Sequence, residues 1–125
     1  MSNFKYTKDH ECIYVDGNTA SIGISQHARE ALGDLVFVEL PEIGKTVSKG
    51  DDIAVVESVK TAAEVYTPVD GEVVETNAAM ESDFDLFAKP VNENGWIVKI
   101  KLSDASALDD LMDEAAYAQY LKEVD

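Results

Sequence analysis

From Cys12 to Leu102 the chain reads as short apolar, β-branched runs separated by turn-forming residues. Cys12-Ile13-Tyr14-Val15 and Thr19-Ala20-Ser21-Ile22-Gly23-Ile24 flank Asp16-Gly17-Asn18. Asp-Gly accepts the positive φ of a tight hairpin turn, so these runs are predicted to pair. In the second run Ala20, Ile22 and Ile24 alternate with Thr19, Ser21 and Gly23, the period of a half-buried strand. Leu35-Val36-Phe37-Val38 is apolar throughout and is expected to be a core strand, broken by Pro41 and Gly44. Lys49-Gly50-Asp51 predicts a turn before Ile53-Ala54-Val55-Val56, and Val65-Tyr66-Thr67-Pro68-Val69 reads as the return. Pro68 and Asp70-Gly71 mark another turn before the strand Gly71–Glu75. Trp96, Val98, Ile100 and Leu102 alternate with Lys99 and Lys101, a strand with one wet face.

Helical signals are fewer. Ser25 stands as N-cap before 26–32, and Gly33 stands as the C′ residue, which fits two turns of helix. Asp113 is placed to cap a C-terminal helix in which Tyr117, Tyr120 and Leu121 share one packing face. Leu108, Leu111 and Met112 suggest a shorter helix within 103–112. The predicted fold is mainly β: a sandwich or flattened barrel with a short helix near 26–32 and C-terminal helices.

At 125 residues the chain is expected to be one domain, 1–125, with one modest core. No apolar run approaches the length of a membrane span. Met1-Ser2-Asn3-Phe4-Lys5 carries neither an apolar h-region nor an Arg-rich amphipathic stretch, so a cytoplasmic location is expected. Ten basic against 25 acidic residues give a net charge of −15. That argues against nucleic acid and anionic membranes as partners, and for steering toward enzymes with basic docking faces. Cys12 has no cysteine to pair with and, between apolar neighbours, is expected to be buried.

The candidate chemistry centres on Lys60, in Glu57-Ser58-Val59-Lys60-Thr61-Ala62-Ala63-Glu64 between two β-prone runs. A Schiff-base lysine needs a lowered pKa, whereas Glu57 and Glu64 favour the charged amine. Attachment of an acyl group makes no such demand, because the modifying enzyme brings its own activation. Val59 and Thr61 flank Lys60, not the methionine pair of biotin carriers. His10-Glu11 does not begin a His-Glu-x-x-His motif, since the second histidine would fall on Tyr14, and no metal site is expected.

Val56-Glu57-Ser58-Val59-Lys60 followed by Gly71-Glu72-Val73 resembles the lipoyl-attachment hairpin of glycine cleavage system H proteins. The likeness extends to Tyr6-Thr7-Lys8-Asp9-His10-Glu11, to Gly33-Asp34-Leu35-Val36-Phe37-Val38-Glu39-Leu40-Pro41, to Gly95-Trp96 and to the Tyr-rich C-terminal helix. Departures are local. Cys12 replaces a usual Trp, and Phe84-Asp85-Leu86, Ala88 and Val91-Asn92 replace a Pro-Glu-Leu, Asn and Pro-Tyr pattern, in a segment expected to border the arm's cleft.

The resemblance implies a lipoyl/biotinyl-carrier-type fold with a protruding hairpin and lipoate in amide linkage to Lys60. It implies a shuttle rather than an enzyme. An aminomethyl unit would pass from the pyridoxal-phosphate glycine decarboxylase to the aminomethyltransferase, and electrons to the dihydrolipoyl dehydrogenase. A lipoyl/octanoyl transferase or lipoate ligase would recognise the hairpin through Glu57, Ser58, Val59 and Glu64. Glu11 and Glu64, with Asp9 beside them, would line the cleft that shelters the loaded arm. The alternatives are a related lipoyl carrier serving lipoyl relay or another pathway, a binding protein with unmodified Lys60, and an enzyme with a lysine nucleophile.

Overall fold

The computed structural model describes residues 4–8, 10–89, 91, 93, 95–103, 108 and 111–124, the side chains of Ala88 and Val124 excepted. Among these, nine strands and two α-helices follow one another: β1 (Phe4–Tyr6), β2 (Glu11–Asp16), β3 (Thr19–Ile24), α1 (Gln26–Leu32), β4 (Leu35–Glu39), β5 (Thr46–Val47), β6 (Asp52–Ser58), β7 (Ala62–Tyr66), β8 (Gly71–Thr76), β9 (Val98–Leu102) and α2 (Glu114–Val124). Short 3-10 segments occupy Ala78–Glu81 and Phe84–Ala88.

The strands form a six-stranded sheet, β1-β2-β3-β9-β8-β5, and a three-stranded sheet, β4-β6-β7, with every pairing antiparallel. The architecture is therefore a sandwich rather than a closed barrel. One core joins the sheets: Ile13, Ile22, Val73 and Ile100 come from the larger, and Val38, Val56 and Val65 from the smaller. Full burial of aliphatic side chains of this size contributes about 1.5–3 kcal/mol each.

Turn chemistry sets several connections as expected. Asp16 pairs with Thr19 across Gly17, whose φ is 63°. Ser25 Oγ accepts from Ala28 N–H at 3.3 Å and starts α1, while Gly33 at φ 81° donates to Arg29 O and ends it. Asp113 Oδ1 accepts from Ala116 N–H at 2.8 Å at the start of α2.

Other expectations are corrected. The strand 35–38 is not buried on both faces: β4 is an edge strand with a bulge between Leu35 and Phe37, which leaves Val36 and Phe37 exposed. β3, expected to be half-buried, is covered on both faces, because Val91, Gly95 and Trp96 close over Gly23. The strand expected over Gly71–Glu75 is β8, and Gly71 belongs to it rather than to the turn before it. Gly71 opens β8 at a close approach, where a Cβ would lie 2.2 Å from Lys101 O. The return strand is Ala62–Tyr66 rather than 65–69, since Pro68 has no N–H for a ladder. Of the short helix expected within 103–112, residues 104–107 and 109–110 lie outside the described residues. Met112 is not helical but bridges Tyr6 as β-structure, so α2 is the sole C-terminal α-helix among the described residues.

Candidate functional site

β6 ends at Ser58 and β7 begins at Ala62, so the lysine turn is only Val59, Lys60 and Thr61. Ser58 builds it. Its Oγ accepts from the N–H groups of Lys60 and Thr61, each at 3.2 Å, and donates to Thr61 O at 3.2 Å. Its own N–H donates to Thr61 O at 2.8 Å. The side chain is 8% exposed, turned under the loop, whereas Val59 beside it is 71% exposed. Glu57 is half-buried on β6 and faces Ala62 across the hairpin.

The hairpin is braced from outside. Val59 N–H donates to Asp34 O at 3.2 Å, and β4 pairs along β6 from Leu35 to Glu39. A methyl group at Gly33 would come within 3.9 Å of Lys60 Cε. The stretch 33–41, remote in sequence, is thus the scaffold of the lysine turn. Lys60 is exposed, and among the described residues no carboxylate pairs with it. Neither Glu57 nor Glu64 closes on it, despite their proximity in sequence.

A cleft of about 330 Å³ runs from the turn along β7, between β7 and α1. Thr61 marks its end at the turn. Ile24, Ala28, Ala31, Leu32, Ala63 and Val65 make it largely apolar, and His10, Glu11, His27 and Glu64 supply its polar groups. Glu11 is 4% exposed; its Oε1 accepts from Thr7 Oγ1 at 3.0 Å and its Oε2 from Tyr66 N–H at 3.2 Å. Glu64 is exposed and accepts from Tyr66 Oη at 2.8 Å. The fold therefore brings Glu11 and Glu64, 53 positions apart in sequence (64 − 11), onto one cleft. Asp9 lies outside the described residues.

Of the segment expected to border this cleft, Phe84, Asp85, Leu86 and Val91 do not line it, while Asn92 and the side chain of Ala88 lie outside the described residues. Phe84, Asp85 and Phe87 instead wall a second groove, of about 720 Å³, with Arg29, Glu30, Gly33 and Asp34. Arg29 holds that wall through hydrogen bonds to Phe87 O and Lys89 O. His10 and His27, which the sequence reading left without a role in the cleft, are the residues it missed; His27 lies one turn before Ala31 on α1, and that helical spacing was the available signal. No cluster of metal-ligating side chains occurs among the described residues. Cys12 is buried, and burial pushes its thiol up to about 11.

Comparison with known proteins adds a family. A model described as glycine cleavage H-protein matches residues 4–124. A glycine cleavage system H protein of Parvibaculum lavamentivorans is 52% identical over 126 residues, covering 98% of each chain. One from Thermotoga maritima is 45% identical, covering 96% of this chain and 97% of its own. The crystal structure of a glycine cleavage system H protein from Mycobacterium marinum superposes with a TM-score of 0.85 at 36% identity, covering 98% of both chains.

Proposed function

The chain belongs to the glycine cleavage H-protein family, and from that premise we propose that it acts over 1–125 as a single carrier domain with lipoate in amide linkage to Lys60. It is a carrier protein of the glycine cleavage system. In this reading it catalyses nothing itself, takes the aminomethyl group from the glycine decarboxylase to the aminomethyltransferase, and delivers electrons to the dihydrolipoyl dehydrogenase, in the cytoplasm. No described helix is long and apolar enough to cross a membrane.

The carrying observation is the continuity of turn and cleft. Thr61 belongs to the lysine turn and also lines the cleft, so a flexible arm rooted at Lys60 begins at the cleft's end. The residues fit such a group. Lys60 is exposed and unpaired among the described residues, so a ligase or transferase can reach it. The cleft's apolar walls suit a hydrocarbon chain, and its carboxylates suit an amine. When bound, lipoate supplies a dithiolane that takes up a one-carbon amine unit and two electrons.

The chain's own residues do the rest. Ser58 holds the turn in one shape, and the contact from Val59 to Asp34 fixes it on the body. Once the carrier is docked, tethering gives the arm a high effective concentration at each partner's active site. Glu11, oriented by Thr7 and Tyr66, and Glu64 at the surface favour an amine in its cationic form. That protects the cargo, because only a neutral amine can push its lone pair toward carbon and expel the thiolate. Exposed Val59 and half-buried Glu57 are the hairpin features a modifying enzyme can read; Ser58 acts through the turn's shape.

Intact mass and peptide mapping of protein made with a lipoate supply test the reading. Lipoate on Lys60, lost in Lys60→Arg, is expected; an unmodified Lys60, or lipoate on another lysine, overturns it. Reconstitution with glycine decarboxylase separates this pathway from service to another lipoyl system.

A further inference from the structure

One side chain of the cleft is oriented by an element that does not line it. Tyr117 on α2 is buried, and its ring stacks on Tyr6 with centroids 4.5 Å apart and planes 4° from parallel. That stacking fixes the hydroxyl, which lies 2.6 Å from His10 Nδ1 and 2.8 Å from Ser25 Oγ. Ser25 Oγ already accepts from Ala28 N–H. His10 is the one non-glycine described residue with positive φ, at 70°. Its backbone is held by an N–H bond to Thr7 O at 3.1 Å and by Ser25 N–H donating to its carbonyl at 2.9 Å. With backbone and Nδ1 both tied, the imidazole has little freedom.

The charge of that ring matters to the cleft. His10, Glu11, His27 and Glu64 line the same space, and the two imidazoles are 5.1 Å apart. Two carboxylates favour an amine cation there; an imidazolium opposes it by the same Coulomb interaction. A hydroxyl that donates to Nδ1 requires a lone pair on that nitrogen, which neutral imidazole has and imidazolium lacks. Burial raises the Tyr117 phenol's pKa, so it remains a protonated donor. If the Ser25 hydroxyl donates to Tyr117 Oη, the phenol proton is directed at His10.

We propose that Tyr117 is a positioning residue of the cleft: its hydroxyl holds His10 neutral with the proton on Nε2, so that no imidazolium at His10 opposes Glu11 and Glu64 at the cationic end of the arm. The inference rests on the carrier reading above and adds to it a proton arrangement set by α2. Among the described residues, the groups facing His10 include Glu11 on β2, His27 on α1, Tyr117 and Tyr120 on α2, and Glu64 across the cleft on β7. Removing the Tyr117 donor takes away an interaction made with the neutral ring, so the His10 pKa rises.

The test uses the unmodified full chain labelled with nitrogen-15. Long-range proton–nitrogen correlation reports the His10 tautomer and its titration in wild type, in Tyr117→Phe and in Tyr120→Phe. Wild type is expected to show the Nε2–H tautomer. Tyr117→Phe is expected to raise the His10 pKa by about half a unit, roughly a threefold rise in proton affinity; Tyr120→Phe is expected to leave it unchanged. An Nδ1–H tautomer in wild type overturns the proposal, and that measurement needs no variant to fold. An unchanged His10 pKa in folded Tyr117→Phe overturns it as well. With lipoylated protein loaded with the one-carbon amine, Tyr117→Phe at pH 7 is expected to release formaldehyde roughly twofold faster; equal rates overturn the link to the cargo. Failure of lipoylation in wild type would remove the carrier reading and leave the titration result standing, so the two are distinguishable.

Discussion

Val59 and Asp34 are joined by a 3.2 Å backbone hydrogen bond, from the N–H of the first to the carbonyl of the second. The bond crosses from the lysine turn to the segment that follows α1. It explains why two stretches distant in sequence, 33–41 and 56–64, work as one unit. The first supplies the edge strand and the carbonyl on which the second displays its lysine.

Ser58→Ala removes every hydrogen bond made by the Ser58 hydroxyl within the turn. A buried hydroxyl with such partners contributes about 1–2 kcal/mol. The expected outcome is a melting temperature lower by a few degrees, by roughly 3–6 °C per kcal/mol for a chain of this size. Slower but not abolished lipoylation should accompany it. Thermal unfolding and a time course by intact mass check both.

Glu64→Gln and Glu11→Gln are expected to separate cargo protection from stability. Glu64 is exposed, so its substitution should change stability by less than about 0.5 kcal/mol while hastening decay of the loaded arm. Glu11 is buried with donors on both oxygens, and an amide there keeps the bond from Tyr66 N–H only by pointing its NH2 at Thr7, whose hydroxyl must turn from donor to acceptor. Its substitution should hasten decay and also cost about 1–3 kcal/mol. Formaldehyde release from isolated loaded protein, beside denaturant unfolding, checks the pair. Unchanged decay in both would remove the protective role.

Gly71→Ala should destabilise strongly. Its Cβ would sit 2.2 Å from Lys101 O and 2.5 Å from Ile100 Cγ2, on the neighbouring strand. Relief requires β8 and β9 to part where their register is set, at a cost of about 3 kcal/mol or more. Gly17→Ala meets nothing within 4 Å and strains only the positive φ. Urea midpoints for the two should rank in that order.

Cys12 gives a pH prediction. Its thiol is raised from 9.0 to about 11 in the folded protein, by burial. Between those values the unfolded chain releases the proton and the folded chain keeps it, so the folded state binds more protons and stability falls as pH rises. Below pH 9 this contribution is constant. Above it, the expected loss approaches about 1.4 kcal/mol per pH unit. Unfolding midpoints of wild type and Cys12→Ala across pH 8–11 should diverge accordingly, and native Cys12 should resist alkylation at pH 8.

Local rules made much of the chain legible. Asp-Gly at 16–17, the Ser25 cap with Gly33, and the Asp113 cap each act over a few residues, and the structure repeats them. Lys60 and its small neighbours were equally legible, because a turn between two strand runs is a local property. Strand environment was not. Leu35-Val36-Phe37-Val38 carries a core pattern throughout but forms an edge strand in which only Leu35 and Val38 are buried, and Thr19–Ile24 carries a half-wet pattern but is covered on both faces. Which strand is central or covered depends on pairing order and on distant residues such as Val91, Gly95 and Trp96, and periodicity within a strand holds no record of either. The role of Gly71 is set the same way, by the strand it crosses. The sequence by itself determined the turn, its lysine and the elements around it. The resemblance already implied a cleft shared by Glu11 and Glu64; only the tertiary structure decided that His10 and His27 line it with them, and that Tyr117, 107 positions from His10, reaches its imidazole. Those contacts join segments whose separation along the chain is bridged by β-pairing and core burial.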